Sequence, residues 1–214
     1  MKLRPSRIRA RFAPMVSAVV VAVSAGTAAL LGSGTANAGL DNWTVIETPN
    51  GYSMEVQQWD TSLQFVPPLD RNPLTREWFQ DGKTAFVVRG SKASSFSGTI
   101  TMGYQVGYPF SPTGQINLNY STPGIDSRPP PGEGIQLKNL IPTAGFALSV
   151  GYGPGVQVFE VASGDVSGAG GSFVVHGVHC TVTGVIGSTN IRPFVTLTSS
   201  KGDSVTTYGK IWEN

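Results

Sequence analysis

A chain of 214 residues with 27 Gly, 15 Pro and a single Cys has the turn content of an all-β protein and the length of one domain with an appendage, and it excludes a disulfide-stapled scaffold. Its 15 basic and 13 acidic residues give a net +2, but five of the basic ones (Lys2, Arg4, Arg7, Arg9 and Arg11) fall in the first 38 residues, where no acidic one occurs. Beyond them ten basic residues face thirteen acidic ones, a net of about −3, so the basic footprint that nucleic acid requires is missing.

Residues 1–38 have the form of an export signal: a basic leader, an apolar run from Met15 to Leu31, and the small-residue site Ala36-Asn37-Ala38, with cleavage expected after Ala38. The mature chain then begins at Gly39. Residues 39–95 and 159–214 are expected to form a β-sandwich. Its strands are read over Thr44–Gln58, Thr84–Arg89, Phe173–Ile186, Pro193–Thr198 and Ser204–Tyr208, where apolar and polar residues alternate between turn signals. The stretch Asn72–Phe79 is expected to hold a short helical turn capped by Thr75, and Gly164–Gly171 a flexible connection.

The segment 96–158 is different in kind. Nearly every even position from Phe96 to Tyr120 is apolar and nearly every odd one is small or uncharged and polar, the period of a strand with one dry and one wet face. Extended at about 3.3 Å per residue, such a run reaches roughly 80 Å, far beyond an ordinary soluble strand. A second alternating arm follows over Ala144–Val158. Between them Ser127-Arg128-Pro129-Pro130-Pro131-Gly132 reads as a hairpin tip near 126–134, and a phase slip at Lys138–Pro142 suggests a bulge.

Charge sharpens the reading. No Asp, Glu, Lys or Arg occurs from Ala93 to Ile125 or from Asn139 to Phe159, yet Asp126, Arg128, Glu133 and Lys138 cluster between those blanks. A sheet in water has no reason to clear Lys and Glu from its polar face, whereas a Lys or Arg facing lipid costs on the order of 2–4 kcal/mol at the bilayer midplane. Two strands cannot close a barrel, and open edges in hydrocarbon leave backbone groups unpaired, so a spanning hairpin implies several copies arranged in a ring. In such a ring Gln115, Asn117, Asn119 and Ser149 are expected to line a wet lumen. Ile116, Leu118, Tyr120, Phe146, Leu148 and Val150 are expected to face lipid. The competing reading from the same residues is a secreted β-sandwich binding module of the envelope, whose hairpin packs on a partner.

The remaining constellations carry less. His176-Gly177-Val178-His179-Cys180 brings metal-ligating types together, but strand alternation is expected to put His176 and Cys180 on one face and His179 on the other, with no acidic neighbour, so no metal site is read. Cys180 is read as a buried free thiol. Asp203-Ser204 lacks the setting of an activated nucleophile, and Asp126 and Glu133 sit on a turn rather than in a cleft, so no enzyme activity and no cofactor are expected. Asp70, Arg71, Arg76, Glu77 and Asp81 form a charged patch, read as a solvated face or an ion-pair network at a subunit boundary.

A series of motifs then carries a resemblance. Gly39-Leu40-Asp41-Asn42, Val56-Gln57-Gln58-Trp59-Asp60-Thr61, Pro68-Leu69-Asp70-Arg71-Asn72, Leu74-Thr75-Arg76-Glu77-Trp78-Phe79, Gly103-Tyr104-Gln105-Val106-Gly107, Asp165-Val166-Ser167-Gly168 and Gly202–Gly209 resemble, in order across the mature chain, the MspA-type porins of the mycobacterial outer membrane. The resemblance implies a homo-octameric, goblet-shaped channel. Each subunit would lend a sandwich to the rim and a hairpin to a sixteen-stranded stem bounded by outer-membrane lipids, through which small hydrophilic solutes and ions diffuse. It also places Asp126, Arg128, Glu133 and Lys138 at the pore constriction. Cation-preferring members carry adjacent acidic residues after a Tyr-x-Thr-Pro motif. Here Tyr120-Ser121-Thr122-Pro123 leads to a single Asp126 with Arg128 two residues on, which implies weak ion selectivity.

Overall fold

Alternation of dry and wet side chains over most of the mature chain builds two sheets, seen in a computed structural model that describes residues 39–121, 125–126, 135–136 and 143–214, with the backbone alone at 120, 125–126, 135–136 and 143–146. The expected export signal, and the expected bulge at Lys138–Pro142, lie outside the described residues. In chain order the strands are β1 (Leu40–Glu47), β2 (Ser53–Val66), β3 (Thr75–Arg89), β4 (Ser97–Tyr108), β5 (Gln115–Ser121), β6 (Ile125–Asp126), β7 (Ile135–Gln136), β8 (Thr143–Ser149), β9 (Gly155–Ser167), β10 (Gly170–Thr183), β11 (Asn190–Ser199), β12 (Ser204–Tyr208) and β13 (Trp212–Glu213). A 3-10 turn, Ala93–Ser95, precedes β4.

One sheet runs β1-β2-β3-β10-β5-β8, with β6 also on β10; the other runs β12-β11-β4-β9-β7, with β13 also on β11. Their inner faces share one core, in which Trp78 of β3 meets Tyr104 of β4 edge to face at 5.6 Å and Tyr52 meets Phe96 in the same way. Edge-to-face contact of this kind adds to the area that large aromatics bury and fixes the spacing of the layers. Cys180, on β10, points into this core and is buried, as the sequence suggested.

Two local expectations are corrected. The helical turn around Thr75 is absent: Asp70 accepts from the Asn72 N–H at 2.9 Å and from the Thr75 hydroxyl at 3.0 Å, and Asn72 accepts from the Leu74 N–H at 2.9 Å. These side chains hold a turn, and β-branched Thr75 opens β3 instead. The connection at Gly164–Gly171 is also not loose, since β9 continues to Ser167 and β10 starts at Gly170.

The hairpin is real as a ladder but does not stand out as a stem. Ser97 pairs with Ser167 and Gln115 with Ser149, so eighteen residues forward on one arm match eighteen back on the other. The ladder slips by one residue between Met102 and Gly103 and is interrupted at 109–114 and 150–154, where the hairpin crosses from one sheet to the other. Below the break β4 and β9 are sandwich strands, and Ile100, Met102, Tyr104, Val106 and Phe159 belong to its core, so the sandwich extends well past 96 and 158. Above the break β5 lies between β8 and β10.

In this chain the apolar side of β5 and the end of β8 is therefore not free for lipid, whereas Tyr152, Val156 and Val158 of the second arm are exposed. Ile116 and Leu118 are 0% exposed within the sandwich core, and Leu148 and Val150 are half-buried against it. Tyr120 and Phe146 fall among the positions described by backbone alone. The physical reason is plain: an isolated chain in water gains about 1.5–3 kcal/mol for each such side chain it covers, and its own sandwich is the only cover at hand.

Candidate functional site

The candidate site is the outward face of the β5–β8 pair. Gln115, Asn117 and Asn119 are exposed on β5, and Ser149 is exposed on β8 directly opposite Gln115. Asn117 faces Ala147, which is also exposed. Alternation alone sends these residues outward once Ile116 and Leu118 turn inward. The result is a strip of amide, hydroxyl and methyl groups with no charge on either strand, able to hydrogen-bond water and passing solutes without holding an ion in place.

Of the expected constriction residues, Asp126 is placed by its backbone opposite Val174 on β10, while Arg128, Glu133 and Lys138 lie outside the described residues. The four expected constriction residues are thus not seen together.

The strip is bordered by β10 along five pairs, from His179 opposite Ser121 to Thr183 opposite Asn117. At its lower end Gly184, with φ +97°, approaches so closely that an added Cβ would sit 2.4 Å from the Gln115 carbonyl oxygen, which only glycine avoids. The crossing between sheets is built from Pro109, Pro112 and Gly114 on one arm and Gly151, Gly153 and Pro154 on the other. Gly114 and Gly151 both have positive φ, and the Gly114 carbonyl accepts from the Val150 N–H at 2.8 Å and the Gly151 N–H at 3.2 Å.

The histidines are arranged otherwise than strand alternation suggested. A bulge between Val175 and Val178, with Gly177 at φ 62°, shifts the phase, so Cys180 points into the core while His176 is exposed. Both histidines also have acidic neighbours, contrary to expectation. His179 Nε2 lies 2.8 Å from Glu77 Oε1 with Phe79 stacked on its ring, and His176 Nδ1 lies 3.7 Å from Asp81 Oδ1. These carboxylates stand on β3, which the sequence gives no direct means of aligning with β10. No group of three or more His, Cys, Asp or Glu able to hold a metal occurs among the described residues. Burial pushes the Cys180 thiol well up from its ordinary range, which leaves it neutral and a poor nucleophile.

Besides the two histidines, the charged patch around residue 70 bonds mainly to backbone. Glu77 accepts from the Leu69 N–H at 2.9 Å, Asp81 from the Gly177 N–H at 2.8 Å, and Arg76 donates to the carbonyls of Pro73, Thr75 and Gly187. Among the described residues no ion pair joins Arg71 or Arg76 to these carboxylates.

Comparison with known proteins decides the family. The MspA family model matches residues 50–213, nearly the whole mature chain. This chain belongs to the MspA family. Among its relatives in Mycolicibacterium smegmatis, Porin MspA is 45% identical over 205 residues, spanning 92% of this chain and 97% of the relative. Porin MspC is 44% identical over 203 residues, spanning 91% and 94%, and Porin MspB 43% identical over 209 residues, spanning 94% and 97%. Each of these matches spans more than nine-tenths of both chains.

Proposed function

We propose that the chain is a porin: exported behind its leader, it assembles with further copies, eight by family resemblance, into a ring in an outer membrane, where small hydrophilic solutes and ions diffuse through the centre. The observation that carries this is the charge-free outward strip of Gln115, Asn117 and Asn119 on β5 with Ser149 and Ala147 on β8. It supplies a wet wall without fixed charge along both strands of one ladder, while strands elsewhere in the sandwich keep exposed carboxylates such as Glu160 and Asp165. That the relatives are porins supports the same reading. Asp126, Arg128, Glu133 and Lys138 form the narrow end of the channel, and their mixed signs make it weakly selective.

Lipid contact by Ile116, Leu118, Leu148 and Val150 belongs to the assembled ring, since in the single chain the sandwich covers them. The folded-back arms taken alone would also suit the soluble binding module. Such a module, however, has no reason to keep charge off a face that meets only water. The test is planar-bilayer recording of the detergent-extracted mature protein. Stepwise, long-lived conductance increments are expected, carried by a band several times the monomer mass on unheated gels. A freely soluble monomer that leaves the bilayer current unchanged contradicts the proposal.

A further inference from the structure

The single chain hides the very side chains that a membrane stem must expose, and the geometry points to how that is resolved: we propose that the β5–β8 hairpin is stowed on the sandwich before assembly and parts from β10, so that the edge of β5 thus freed pairs with β8 of a second copy. The inference rests on the porin reading of the preceding section.

Three observations carry it. First, the hairpin has its own ladder, seven pairs from Gln115 opposite Ser149 to Ser121 opposite Thr143, so it can leave as a unit. Its attachment to the rest of the chain is split over three separate ladders, each shorter than its own: five pairs from β5 to β10, two from β6 to β10 and two from β7 to β9. Second, both arms are weakened at the same level. Pro109, Pro112 and Gly114 stand on one arm and Gly151, Gly153 and Pro154 on the other, at the point where the ladder breaks and the arms change sheets. Proline withholds a ladder donor and glycine tolerates new backbone angles, so a swing there strains neither sheet. Gly151 and Gly153 have open space where a side chain would be.

Third, the exchange gives the freed strand a new partner. In the stowed chain β8 ends its sheet and shows no partner on its outer edge among the described residues. Releasing β5 from β10 opens the facing edges of both strands. The β5 and β8 edges are antiparallel complements on strands without charge, so β5 of one copy can pair with β8 of the next, and repetition around a ring closes every hairpin ladder while the vacated edge of β10 stays with the sandwich in water. Ile116 and Leu118 exchange the cover of the sandwich for that of lipid. An apolar hairpin is thereby kept out of water until copies and membrane are both present, which avoids the aggregation that an exposed strand pair invites.

A disulfide lock tests this. In a Cys180→Ala background of the mature chain, Asn119→Cys with Thr181→Cys places a thiol pair across the β5–β10 seam, and Asn117→Cys with Thr183→Cys provides a second pair one step along it. Thr101→Cys with Ser163→Cys, across β4 and β9 within the sandwich, is the control. Oxidation of the unassembled chain in water is expected to close at least one seam lock and to abolish conductance steps in a planar bilayer, and reductant to restore them. The oxidised control is expected to open channels as readily as its reduced form. Oxidised seam locks that conduct like their reduced forms overturn the proposal, and so do seam thiols that fail to join at both positions. If even the reduced proteins and the parent open no channels, the porin reading falls, while the yield of the seam disulfide still decides whether the hairpin is stowed.

Discussion

β4 and β5 share one alternating, charge-free run of sequence, yet they sit in different sheets and keep different company. β4 lies between β9 and β11, whose outward positions include charged residues: Gly103 pairs with Glu160, Thr99 with Asp165, and Arg192 donates to the Gln105 side chain at 2.7 Å. β5 lies against β8, whose outward side chains are Ala147 and Ser149. The lesson is that alternation along one strand reports only that one face is covered, not what covers it. Charge missing from both strands of a ladder is the sharper sign, because a lipid boundary or a lumen acts on the pair together.

Several substitutions break or sharpen this contrast. The largest effect is expected at Leu118, where Leu118→Ala removes a fully buried side chain and should destabilise the unassembled chain by about 2–5 kcal/mol in denaturant titration, whereas Asn119→Ala beside it should stay within about 0.5 kcal/mol. Equal effects at the two positions would mean that β5 is not packed on the sandwich. Gly184→Ala forces a Cβ toward the Gln115 carbonyl at a left-handed backbone position. It should lower stability by about 1–3 kcal/mol and speed hydrogen exchange in β5 ahead of β4.

Lysine placed outward on each strand separates their roles directly. Thr101→Lys on β4 and Asn117→Lys on β5 should each change folding stability by no more than about 0.5 kcal/mol. Only Asn117→Lys should lower the conductance step and shift the reversal potential toward anions in a salt gradient. The smallest effect belongs to the exposed rim of the sandwich. Arg89→Ala removes the partner of Glu55 and should cost less than about 1 kcal/mol. Partial burial raises the Glu55 carboxyl pKa, but hydrogen bonds from Arg89 and Gln57 and the guanidinium charge more than offset this and hold it below the usual carboxylate range. A depressed carboxylate contributes stability at neutral pH that is lost as pH falls through its folded value, so the difference between wild type and Arg89→Ala should shrink on acidification below the ordinary glutamate range.

Much of this was legible in the sequence. Strand content and the wet and dry sides of β5 followed from spacing, because a period of two admits few structures. The family followed from motifs that run in order through the chain. The position of the arms did not follow: Ile100 and Leu118 look alike in sequence, and nothing local distinguishes a side chain covered by the sandwich from one covered by lipid. The histidine partners were hidden for a related reason. Glu77 and Asp81 lie about a hundred residues from His179 and His176, and a single bulge at Gly177 altered which residues share a face. The helical turn at Thr75 failed because Asp70 and Asn72 bond to nearby backbone, a competition that composition does not reveal.

The central claim is that the odd positions of β5 face water inside an assembled channel and the even ones do not. Single cysteines at Ile116, Asn117, Leu118 and Asn119, tested one at a time in conducting bilayers with a charged, membrane-impermeant thiol reagent, address it most directly, because the native Cys180 is buried and gives no background. Reagent is expected to cut the current at Asn117→Cys and Asn119→Cys and to leave Ile116→Cys and Leu118→Cys unaffected. A block at the even positions with none at the odd ones would contradict the account.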